Sequence, residues 1–75
     1  MATASLITMA NEIAAFFISE NDAAEAPKSV AAHLKRYWDP RMRKQIIEHV
    51  AGGGEGLVPV ARAAVELLAA AQTTR

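Results

Sequence analysis

Near the middle of the chain Asp39 stands before Pro40, and no helix can run unbroken through that pair. Proline has no N–H to give to the preceding turn, and its ring pushes the residue before it out of the helical region. A helix arriving from the N-terminal side must therefore stop near Tyr37 or Trp38. A second can start at once, because proline is well tolerated at the first helical position and Asp39 is a suitable N-cap. Its carboxylate can accept from the N–H of Arg41 or Met42, a contact worth about 1 kcal/mol. On this register Trp38 is N′ and Arg43 is N4, the two positions of a staple, here a guanidinium that would stack on an indole.

Proline and glycine punctuate the rest of the chain in the same way. From Ser5 to about Glu20 the residues Leu6, Met9, Ala10, Ile13, Phe16 and Phe17 recur at three- and four-residue steps, which predicts an amphipathic helix with Ser5 as N-cap. Ile7 and Ile18 fall outside that stripe and widen the apolar surface. Asn21-Asp22 supplies a turn, and Asp22 with Glu25 is a variant of the capping box. The second helix should begin between Ala23 and Ala26, with Val30, Ala31, His33, Leu34 and Tyr37 on one face and Lys28, Lys35 and Arg36 solvated. The third runs to about Ala51 with Met42, Ile46, Ile47 and Val50 inward, and Gly52-Gly53-Gly54 stops it. A fourth starts near Leu57, has Pro59 in its first turn, and aligns Val60, Ala61, Ala64, Leu67 and Leu68. The expected fold is all-α, a small bundle of four short helices forming one domain over 1–75, frayed at about 1–4 and 72–75.

Such a domain has little to hold it together. Of its apolar residues 17 are alanine and 22 are larger, and the entropy of ordering a chain this short, roughly 1.5 kcal/mol per residue, commonly leaves little net stability. There is no cysteine, hence no disulfide, thiolate ligand or cysteine nucleophile. Docking or oligomerisation is the remaining common remedy. Met1 to Ser5 carry no cation of the kind a signal peptide needs, and the most apolar segment, Ile13 to Ile18, is too short to span a bilayer. A soluble, cytoplasmic protein with no membrane partner is expected.

The formal net charge is +0, so any electrostatic preference must be local. Lys35, Arg36, Arg41, Arg43 and Lys44 put five of the eight basic residues within ten positions, with Asp39 the only acid among them. The bland reading is a solvated face. Against it, three of these cations open the third helix, where the macrodipole disfavours positive charge by about 0.3 to 1 kcal/mol each, so a surface outside the helix would compensate them. Tyr37 and Trp38 stand beside them, in the composition enriched at interface hot spots. Lys35, Arg36, Tyr37, Trp38, Arg41, Arg43 and Lys44 are therefore the expected partner interface. A helical regulator of nucleic acid is the alternative, disfavoured by the neutral charge and the stiff Asp-Pro joint.

Catalytic chemistry finds no support. His33 and His49 lie in different helices and form neither HxxxH nor HExxH, and Glu48 and His49 point about 100° apart. The serines lack an elbow motif. The run Gly52 to Gly56 lacks the Lys-Ser/Thr of a P-loop and contains Glu55, which would repel phosphate. No catalytic, cofactor-binding or metal-ligating residue is expected.

Leu6 to Ile13, then Phe16-Phe17, then His33 to Arg43 with the joint at its end, then Gly53-Gly54-Glu55-Gly56-Leu57 together resemble the delta subunit of soluble, NAD-dependent, molybdenum-containing formate dehydrogenases. The likeness covers roughly residues 6–68. It implies a small accessory subunit of a bacterial complex that oxidises formate to carbon dioxide and passes the electrons to NAD. In such complexes a molybdenum or tungsten bis-pterin cofactor and iron-sulfur clusters belong to the large catalytic subunit, with FMN and NAD sites in others. With the thin core and the costly cations, the expectation is that this chain docks on the large subunit through the joint and stabilises it or assists its maturation, and a chain without cysteine could not itself ligate a cluster.

Overall fold

Every break read from proline and glycine is a helix boundary in the computed structural model, which describes residues 2–73. Helix α1 spans Thr3–Glu20, α2 Ala26–Tyr37, α3 Pro40–Ala51 and α4 Pro59–Thr73, and no strand occurs among the described residues. Of the ends expected to fray, Met1, Thr74 and Arg75 lie outside that range.

The joint between α2 and α3 is built as its residues dictate. Trp38 closes α2 with an extended backbone, its N–H still donating to Leu34 O at 3.0 Å. Asp39 Oδ1 accepts from the Met42 N–H at 2.9 Å, and Pro40 is the first helical residue. At the start of α2 Asp22 caps a turn rather than the helix itself, accepting from the Glu25 N–H at 3.0 Å. The cap expected at Ser5 does not form. Helix α1 begins two residues earlier, at Thr3, because nothing before Ser5 breaks it and the Thr3 hydroxyl is fixed to α3 by Gln45 Nε2 at 2.7 Å.

Alanine sets how closely the helices approach. The buried residues step by four along α1 (Leu6, Ala10, Ala14) and α2 (Ala26, Val30, Leu34, then Trp38), and they meet Ala61, Ala64, Val65 and Leu68 of α4 with Ile46 of α3. As expected, Met42, Ile47 and Val50 close over this core half-buried. On α4 the reading is corrected in one place: Val65 is buried and Leu67 is 45% exposed. Ala61, Ala64, Val65 and Leu68 form a complete stripe, and Leu67 lies about 100° from Leu68.

After Ala51 the chain makes a Schellman turn. The Gly53 N–H donates to Val50 O at 3.0 Å and the Gly54 N–H to His49 O at 2.9 Å. Gly54, buried with φ +68°, is where glycine is required, since an added Cβ would sit 3.3 Å from Arg62 Nε. Three side chains from three helices then hold the loop to α4. Asn11 of α1 gives its amide N–H to Gly56 O at 2.9 Å and accepts from the Val58 N–H at 2.9 Å. His49 of α3 is 2.7 Å from Glu55 O, so Nε2 carries the proton, and Arg62 of α4 donates to Gly53 O at 2.7 Å.

Two substitutions check these joints by urea unfolding of the isolated chain. Asp39→Ala is expected to lower stability by about 1 kcal/mol, with Asp39→Asn, which keeps an acceptor, costing far less. Gly54→Ala is expected to cost about 1 to 2 kcal/mol for its left-handed backbone, before any displacement of Arg62.

Candidate functional site

Tyr37 and Trp38 are neighbours in the chain and part company in space. Tyr37 is the last helical residue and 65% exposed, whereas Trp38 is 7% exposed. Trp38 keeps the helical bond from its N–H to Leu34 O and follows Val30 and Leu34 at four-residue steps, so its indole continues their inward stripe, while the extended backbone turns the chain after it. This corrects the face assigned to α2: the buried stripe passes through Ala26, Val30, Leu34 and Trp38, and Tyr37 lies to one side with half-buried His33.

That side is aromatic. The ring centroids of His33 and Tyr37 are 4.7 Å apart, those of Phe17 and His33 5.9 Å, and those of Phe16 and Phe17 5.1 Å, so a row of rings crosses from α1 to α2. The Arg36 guanidinium lies 5.6 Å from the Tyr37 ring centroid, a cation–π contact that holds it beside the row. Next to the row runs an open groove of about 380 Å³, lined by Met9, Glu12, Ile13, Phe16 and Phe17 of α1 with His33 and Trp38 opposite. Trp38 is thus a core residue whose outer edge forms part of a surface.

The basic residues divide as the aromatics do. Lys35, Arg36, Arg41 and Lys44 are exposed, and the two ion pairs among the described residues, Lys28 with Glu25 at 3.9 Å and Arg62 with Glu66 at 4.0 Å, use none of them. Arg43 turns inward instead. Its Nη1 donates to Lys35 O at 3.1 Å, a carbonyl in the last turn of α2 that has no helical donor. The staple expected between Arg43 and Trp38 is therefore replaced by a bond from guanidinium to helix end. A cation at the negative pole of α2 offsets its unfavourable place in α3, so for Arg43 the compensation lies within the chain. Lys35 and Arg36 also sit at that pole. Arg41 and Lys44 remain uncompensated.

Sequence reasoning missed the α1 wall. Phe16, assigned to the buried stripe, is 58% exposed, and Met9, Glu12 and Ile13 had no role beyond the first helix. The signal was present in Ile7 and Ile18, which made α1 apolar beyond one stripe. Nothing in the sequence pointed to His33 as the bridge between Phe17 and Tyr37.

The NADH-dependent formate dehydrogenase delta subunit FdsD is the family whose model matches the chain, over residues 5–65. The chain belongs to that family. The matched range takes in the α1 wall, the joint and the glycine loop, the segments that carry the resemblance read from the sequence. Searches of curated proteins and of solved structures returned no match. This delta-family chain has no helix among its described residues long and apolar enough to cross a membrane.

The division between the two aromatics has a direct test in thermal unfolding followed by circular dichroism. Trp38→Ala is expected to cost about 3 to 5 kcal/mol, enough to unfold a domain this small, while Tyr37→Ala stays within about 0.5 kcal/mol of the parent.

Proposed function

We propose that the chain is a permanent, non-catalytic accessory subunit of a bacterial, cytoplasmic formate dehydrogenase, docked on the large catalytic subunit and stabilising its cofactor-loaded form. Family membership over residues 5–65 carries this reading. The exposed cations support it: Lys35, Arg36, Arg41 and Lys44 have no carboxylate partner among the described residues, and an acidic surface on the large subunit would supply one. The neighbouring Tyr37 adds an aromatic of the kind that anchors interfaces. Of the seven interface residues read from the sequence, Arg43 acts through its bond to Lys35 O, and Trp38 acts as the floor beneath the others.

On this reading the redox groups of the complex are held by other subunits. This chain has no cysteine for a cluster, His49 is bound to Glu55 O, His33 is engaged between two rings, and no three His, Asp or Glu among the described residues could hold a metal. The molybdenum bis-pterin cofactor and iron-sulfur clusters are assigned to the large subunit, and FMN and NAD to others.

The tagged chain, expressed with the other subunits, is expected to co-purify in fixed ratio with molybdenum, flavin and formate-oxidising activity. Active enzyme that has shed the chain would overturn permanence and leave a transient maturation factor. For the docking surface, the pair Arg41→Glu and Lys44→Glu is expected to weaken retention in the complex by about tenfold or more, and Lys28→Glu, at the far end of α2, to leave it within about twofold. Retention should also fall as salt is raised toward 1 M, where exposed charges are screened.

A further inference from the structure

Helix α1 is apolar around more of its circumference than the fold uses. Two of its three buried residues are alanine, Ala10 and Ala14, while Phe16 is 58% and Ile18 50% exposed and Met9, Ile13 and Phe17 are only partly covered. A surface helix ordinarily turns its bulky apolar residues to the core. Here Phe16 and Ile18 point away, and the groove of about 380 Å³ lies among Phe16 and the half-covered Met9, Ile13 and Phe17. It has the form of the sites into which one amphipathic helix lays a few side chains.

Charge is divided across the groove. On the α1 wall stands the exposed carboxylate of Glu12, which would repel an acid there. On the α2 side, beyond His33 and outside the groove's own lining, stands Arg36, held by the Tyr37 ring and in no ion pair among the described residues. An occupant with apolar side chains below and an acid on one flank is oriented by this division, its acid toward α2. A second copy fits poorly. Helix α1 carries Glu12 and Glu20 and no cation, so two α1 helices facing across a twofold axis would set like charges together.

We infer that the groove between α1 and α2 receives an amphipathic helix of another formate dehydrogenase subunit. Its apolar residues at i and i+4 fill the space among Ile13, Phe16 and Trp38, and its Asp or Glu pairs with Arg36. This rests on the accessory-subunit reading and adds the anchoring element and its chemistry, which the basic joint alone does not supply.

The test uses the complex assembled by co-expression. With Phe16 replaced by a photo-reactive phenylalanine analogue, irradiation is expected to cross-link one peptide of another subunit, with apolar residues at helical spacing and an acid within a turn. Phe16→Glu, at an exposed position that leaves the helix content of the isolated chain unchanged by circular dichroism, is expected to lower retention about tenfold or more. Arg36→Glu is expected to do the same, and reversing the charge of the cross-linked acid to restore it. A cross-link to a second copy, or to a segment without an acid, overturns the inference. Retention unaffected by Phe16→Glu yet lost with Arg41→Glu and Lys44→Glu overturns it too, and leaves the accessory reading standing. Failure of any subunit to retain the unaltered chain overturns both.

Discussion

Asp39 and Pro40 end α2 at Trp38, the last buried residue of its stripe, and the corner they make sets the course of the chain into α3. Proline forbids α2 to continue, Asp39 starts α3 by capping Met42, and the chain turns directly after the indole that packs in the core with Val30 and Leu34. Tyr37, about 100° round the helix from Trp38, stays outside, and the same turn brings Arg43 back to the end of α2.

A core made so largely of alanine buries little area per residue, and what it gains is close approach between helix backbones. The glycine loop is the complement to that packing. With few large side chains to lock α4 in place, polar clamps do so: Asn11, His49 and Arg62 bind the carbonyls of Gly56, Glu55 and Gly53, and Gln45 ties the start of α1 to α3. Each clamp is a hydrogen bond worth about 1 kcal/mol net, comparable to a helix cap. The bulky apolar residues left over on α1 are consequently at the surface.

The sequence made the breaks legible because proline, glycine and a capping aspartate act within four residues of where they stand. Asp39, Pro40, Pro59 and the glycine run therefore placed the ends of α3 and the start of α4 closely. Where several faces are apolar the pattern discriminates poorly, so Phe16 and Leu67 were assigned inward and found outside. The clamps were illegible for another reason: Asn11 meets Gly56 and Val58 across more than forty residues, and only the assembled fold brings them together. At the candidate site the cations and Tyr37 were readable from composition. The groove was not, since it belongs to two helices at once.

The joint thus divides its residues between fold and surface: Trp38, Asp39 and Arg43 hold the corner, while Arg36 and Tyr37 face outward at the end of the aromatic row and Arg41 and Lys44 are exposed on α3. Hydroxyl-radical footprinting of the chain, free and within the assembled formate dehydrogenase, tests that division most directly, because it reads side-chain exposure at each position. Tyr37 and Phe16 are expected to lose most of their reactivity in the complex, while Leu67 on the outer side of α4 keeps its own. Protection of Leu67 with Tyr37 and Phe16 as reactive as in the free chain would contradict it.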